Sequence, residues 1–214
     1  MSGNSSNHTG SATASMIDPG SRDKKSADLI EALDCMRAAL SNSAIFRDVG
    51  DDEYRGQMLE REAWRAVESG GGVLVVRASD DGAAAVATSS QPIRSAGLFL
   101  RDATSAKDEL IYIGTTPGYQ GYGLAKHIVK DSADRSEAAG HRLVITVKGD
   151  HANYACWNEH QNLLKFYHSF GRFSHKSAAR SGSNVDEFLS ARSGTNPTDV
   201  IACECPRQWY AGRQ

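Results

Sequence analysis

The 214-residue chain carries 24 Lys and Arg against 26 Asp and Glu, a formal charge of -2, with 40% hydrophobic and 23% charged residues. That balance suits one globular domain, excludes a disordered or fibrous chain, and lacks the basic excess of a nucleic-acid binder. No apolar run reaches the about 18 residues that span a bilayer, and the opening MSGNSSNHTGSATAS lacks the apolar core of a secretory signal, so a cytoplasmic protein with no membrane partner is expected.

Residues 1–25 are largely Ser, Gly, Asn and Thr, too polar to offset the entropy of ordering, and predict a flexible arm ahead of one domain over 26–214. A bacterial export leader would share that composition. From Ser26, the apolar Leu29, Leu33, Met36 and Leu40 recur on one helical face, with no convincing strand before them. In GDDEYRGQMLEREAWRAVESGGG, Asp51 or Asp52 caps a second helix, which stops at Gly70 to Gly72. VLVVRA, SDDG and AAAVATSS read as a hairpin, and GLFLR and ELIYIG as further strands of a mainly antiparallel sheet. LAKHIVKDSADRSEAAG reads as a helix ending at Gly140, RLVITV as a strand, and EHQNLLKFYHSFG as a helix with Leu163, Phe166, Tyr167 and Phe170 on one face. Residues 174–199 read as a long connection with one helical turn at VDEFLSA, and DVIACEC as a last strand. Cys35, Cys156, Cys203 and Cys205 lack the paired spacing of a zinc site and read as reduced thiols.

The turn PGYQGYGLA sits between an apolar strand and a helix. There, unpaired helix N-terminal amides and the helix dipole favour a phosphate, and glycines let it approach the backbone. A Walker A loop needs a Lys followed by Ser or Thr, which is absent. A dinucleotide fingerprint counted from Gly121 and Gly123 meets Lys126 where its third glycine belongs, and the preceding sheet reads as antiparallel.

Gln120-Gly121-Tyr122-Gly123-Leu124-Ala125 matches Q/R-x-x-G-x-G/A, and in this strand, loop, helix order it resembles the acetyl-coenzyme A loop of the GNAT N-acetyltransferase superfamily. Glu109 opening the strand and FYHSFGRF near the far end extend the resemblance over about residues 70–175. It implies an α/β fold, GNAT-like, with a central mixed, mostly antiparallel twisted sheet flanked by helices. It also implies direct acetyl transfer from acetyl-CoA to a primary amine, cationic in solution, on a small molecule or protein. A homodimer is compatible with it, and no metal is required. By the same resemblance, amides of Gln120, Gly121, Tyr122, Gly123, Leu124 and Ala125 face the pyrophosphate. The backbone of Ile111 to Ile113 pairs with the pantetheine arm, Tyr167 protonates the departing thiolate, and Glu109 takes a proton from the ammonium.

His160 and Leu163 stand where the family often has Asn and Ala, and GDHANYACWNE is longer than the usual connection. His151 or His160 could supply the base instead of Glu109, and a metal site of His151, Cys156 and His160 lacks any recognised spacing. Asp48, Asp51, Asp52 and Glu53 read first as a solvated loop and helix cap, and secondly as an acidic border to an acceptor cleft. The alternative to an enzyme is a non-catalytic acyl-CoA-binding module whose acceptor cleft is filled by residues 149–160.

Overall fold

A computed structural model describes residues 14–46, 50–80, 90–150, 154–180 and 183–191. The chain begins with a short strand, β1 (Ser15–Met16), and two helices, α1 (Ala27–Ser41) and α2 (Asp52–Glu68). Three strands follow, β2 (Gly72–Arg77), β3 (Ile93–Leu100) and β4 (Lys107–Thr115), then α3 (Leu124–Ala138), β5 (Arg142–Asp150) and α4 (Tyr154–His168). A hairpin of β6 (Phe173–Arg180) and β7 (Ser183–Ser190) ends the described residues.

Local chemistry accounts for the helices. Ser26 caps α1 by accepting from Leu29 N at 3.1 Å, and Asp51 caps α2 by accepting from Tyr54 N at 2.8 Å. Leu29, Ala32, Met36 and Leu40 form the buried face of α1, and Met58, Leu59, Ala63 and Ala66 that of α2. These faces pack with Val73, Val75, Ala96 and Leu98 on one side of the sheet. On the other side Leu124, Ile128 and Val129 of α3 and Tyr167 of α4 pack with Leu74, Phe99, Leu143 and Phe188. Fully burying one such side chain contributes about 1.5–3 kcal/mol, so both layers are held mainly by apolar area.

The sheet order is β1-β2-β3-β4-β5-β7-β6. All pairings are antiparallel except β4 with β5, which is parallel. Two expectations are corrected here. A strand does precede Ser26: Ser15 and Met16 pair with Val75 and Leu74, and Ala14 is buried. The supposed connection from residue 174 is the β6–β7 hairpin, with strand rather than helix at VDEFLS, because β7 inserts between β5 and β6 and pairs along both. GLFLR lies at the end of β3, which starts at Ile93. The strand expected at AAAVATSS, the one at DVIACEC and most of the N-terminal arm lie outside the described residues.

Candidate active site

β4 and β5 run side by side only where Lys107, Asp108 and Glu109 pair with Arg142, Leu143 and Val144. β5 continues against β7, whereas β4 carries a bulge: Leu98 pairs with Tyr112 but Phe99 with Leu110, leaving Ile111 as the extra residue. A bulge bends its strand and increases its twist, so β4 swings away from β5 and the sheet forks. Beyond Glu109 the β5-facing edge of β4 has no strand partner among the described residues.

A cleft of about 760 Å³ fills the fork. Glu109, Ile111 and Ile113 line it from β4, Thr146 and Val147 from β5, and Leu163, Phe166 and Tyr167 from α4. The glycine loop closes one end with Gln120, Gly121, Gly123, Leu124 and Ala125. A second recess of about 380 Å³ opens at the other end and shares Arg65, Glu109 and Thr146 with the cleft.

Unlike α1 and α2, α3 starts without a side-chain cap and without an acidic residue in its first turn. Its cap is Gly123 at φ 80°, and Gly121 is at φ 89°, conformations that L side chains rarely adopt. No acceptor among the described residues takes the amides of Gly121, Tyr122, Gly123, Leu124 or Ala125. A Cβ built at Gly121 or Gly123 would meet nothing within 4 Å, so the space beside these glycines is open. Bare amides, an uncompensated helix dipole and free space together form an anion cradle. Tyr122 is the one predicted loop residue outside the cleft lining. Its side chain is 56% exposed and packs toward Tyr119, so it can offer the cradle its amide only.

Tyr167 is buried on the inner face of α4, edge-on to Phe166 at 5.1 Å and tilted against Phe188 at 5.2 Å. Burial pushes its phenol above the ordinary 10.0, so the hydroxyl keeps its proton. Glu109 is half-buried at the point where β4 leaves β5, facing both the cleft and the second recess.

No protein-family model and no curated protein matches this sequence. Solved structures do. A protein assigned to the GNAT family of acetyltransferases from Desulfovibrio desulfuricans is 13% identical, with a TM-score of 0.51 over 73% of this chain and 90% of its own. A structure from Corynebacterium glutamicum, described as histone acetyltransferase HPA2 and related acetyltransferase, is 15% identical, with a TM-score of 0.55 over 86% of this chain and 98% of its own. The yncA protein of Salmonella typhimurium, solved with its cofactor acetyl-CoA, is 16% identical, with a TM-score of 0.52 over 86% of this chain and 95% of its own.

The chain has the GNAT fold. Within that fold, Glu109, Ile111, Ile113, the glycine loop and Tyr167 come together in one cleft. Leu163 lines the cleft, but His160 does not: it is 0% exposed, with Nε2 2.8 Å from Asp186 Oδ2, and so cannot take a proton from a substrate in the cleft. His151 lies outside the described residues. The Cys156 thiol donates to the Ala44 carbonyl at 2.9 Å, and among the described residues no group of three His, Cys, Asp or Glu could hold a metal.

The acidic segment behaves as a cap and surface: Asp51 caps α2, Asp52 accepts from Ser41 Oγ at 2.7 Å, and Glu53 accepts from Gln57 at 3.2 Å. Asp48 is outside the described residues. The carboxylates that do line the cleft besides Glu109 are Glu62 of α2 and Glu159 of α4. Sequence reasoning missed both. Glu62 stands one turn before Arg65 on α2, and both line the cleft. Among the described residues no helix is long and apolar enough to cross a membrane.

Proposed function

We propose that this protein is an N-acetyltransferase that moves an acetyl group from acetyl-CoA directly to a primary amine. The observation that carries the reading is convergence: an unpaired strand edge, an anion cradle, a protonated buried phenol and a carboxylate share one cleft at the fork of β4 and β5. Acetyl-CoA supplies an acyl group activated as a thioester. The bare amides of Gly121 to Ala125 fit its pyrophosphate, and the open edge of β4 at Ile111 to Ile113 fits the two amides of its pantetheine arm as an added strand would.

Glu109 at the fork accepts a proton from the acceptor ammonium, since only the neutral amine can attack. A β4 amide at the bulge steadies the carbonyl oxygen as charge develops on it. As the new C–N bond forms and the C–S bond breaks, the Tyr167 hydroxyl gives its proton to the leaving sulfur, and the second proton shed by the nitrogen as it becomes an amide restores the phenol. Most of the acceleration on this reading comes from holding nitrogen and thioester in contact within a walled cleft.

The experiment is a thermal melt with acetyl-CoA, NADH and ATP in separate samples. Acetyl-CoA alone should raise the midpoint, by about 2.7 kcal/mol of added stability at a hundredfold excess over its dissociation constant. No shift and no heat of binding at saturating coenzyme would remove the reading. An amine and peptide panel, scored by thiol release, then identifies the acceptor.

A further inference from the structure

The connection between α1 and α2 reaches both jaws of the fork. On the α4 side Glu159 accepts two hydrogen bonds, from Ser43 Oγ at 2.5 Å and from Ala44 N at 2.6 Å, and the Cys156 thiol donates back to the Ala44 carbonyl at 2.9 Å. On the β4 side the Phe46 ring lies 6.0 Å from that of Tyr112. Ser43, Ile45, Phe46 and Glu159 all line the cleft. Residues 43–46 therefore span the open side of the fork. A carboxylate receiving two short bonds, one of them from a backbone amide, is a strong and directional fastening. These four residues are only half-buried; Phe46 packs against the α1–α2 layer, and the bonds to α4 hold Ser43 and Ala44.

We propose that residues 43–46 are a strap, fastened by Glu159, that roofs the cleft and keeps water from the thioester. The glycine-loop end and the Glu109 end, where the second recess opens, remain as the two entrances. Glu159 is a positioning residue, acting through the strap rather than on the reacting atoms. What the strap does rests on the acetyl-transfer reading, whereas its existence does not. Two nucleophiles compete for one thioester. Attack by the amine forms a C–N bond, breaks the C–S bond and yields the acetylated amine and the thiol. Attack by water forms a C–O bond, breaks the same C–S bond and yields acetic acid and the thiol, and in both cases the proton lost by the nucleophile balances the one gained by sulfur; the acid then ionises to acetate and releases a further proton to solvent. Excluding water suppresses the second path without touching the first.

Two measurements on the full chain test this. The first is the alkylation rate of Cys156 by iodoacetamide, followed by peptide mass spectrometry with buried Cys35 as internal reference. Glu159→Ala should speed Cys156 labelling and leave Cys35 unchanged. The second is acetate release from acetyl-CoA with no amine present. Glu159→Ala should raise it by about tenfold, with coenzyme binding within about twofold of the parent. Cys156→Ala should give a smaller rise, and Cys156→Ser, which keeps a donor to Ala44, should behave like the parent. If Glu159→Ala does not fold, Ser43→Ala removes one of the same bonds from a half-buried position and carries both measurements. Unchanged labelling in a folded variant would overturn the strap. Faster labelling with unchanged acetate release would overturn its water-excluding role. Failure of the parent to bind acetyl-CoA would defeat the transferase reading instead, and leave the labelling result to decide whether the strap exists.

Discussion

Burial raises the Tyr167 phenol above its ordinary value, so the hydroxyl stays protonated and is present as a donor, a weaker acid than a free phenol. Tyr167→Phe keeps the ring contacts with Phe166 and Phe188 and deletes only the hydroxyl. Coenzyme binding should persist while turnover falls about a hundredfold, with kcat and kcat/KM falling together. Single-turnover thiol release with an identified acceptor is the check, and parental rates at every pH would reject the assignment. Glu109→Gln should slow the reaction most at low pH, where little neutral amine exists without a base, and the defect should shrink as pH rises toward the amine's own pKa. A uniform loss across the profile would instead mark Glu109 as a binding group.

Two glycines near the cleft serve different ends. Gly123 sits at φ 80° with open space around its missing Cβ, whereas a Cβ at Gly114 would lie 2.9 Å from Ala39 Cβ and 3.1 Å from Met36 Cα. Gly123→Asp should fold, since Asp tolerates the left-handed region better than most residues, but it brings a negative charge to the anion cradle and should abolish acetyl-CoA binding by calorimetry. Gly114→Ala should act oppositely, costing about 1–3 kcal/mol of stability by forcing α1 off β4. Urea unfolding separates the two. Coenzyme bound normally by a folded Gly123→Asp protein would make the loop a structural turn only.

Across the molecule, α4 is tied to the β6–β7 hairpin by one carboxylate. Asp186, with a side chain 3% exposed, lies 2.8 Å from His160 Nε2 of α4 and 2.7 Å from His175 Nε2 of β6. Burial, the largest single influence, works to raise its pKa, but hydrogen bonds from His160, His175 and Ser177 together outweigh it and hold the carboxyl well below the ordinary 3.8. A depressed carboxylate pKa contributes stability that is fully present above the unfolded value and is lost as pH falls through the folded one. Asp186→Asn should therefore lower stability at neutral pH, by about 1–3 kcal/mol. The gap to the parent should stay constant down to about pH 4 and close only below it. Chemical unfolding of both proteins at several pH values measures the gap directly, and one that closes well above pH 4 would reject the assignment to this carboxylate.

The helices, apart from the first five residues of α4, and the glycine loop were legible in the sequence because their signals are local. Ser26 and Asp51 cap within three residues, Leu29, Met36 and Leu40 repeat at helical spacing, and Gly121 and Gly123 mark a turn by their own backbone freedom. The same locality made Tyr167 and Glu109 visible as candidates, each by its place in a short pattern. Sheet pairing carries no such signal. The two residues of β1 count as a strand only because Val75 and Leu74 pair with them, and β6 and β7 look like a polar connection until β5 provides an edge for β7. Ile111 is one apolar residue in ELIYIG, and its bulge, which forks the sheet, exists only in register with β3. Glu62 and Glu159 reach the cleft from helices far apart in the chain, and the strap joins residues 43 and 159 across it. Periodicity and capping are properties of a segment. Register, the fork and the walls of the cleft are properties of contacts between segments, and those were decided only when the chain closed on itself.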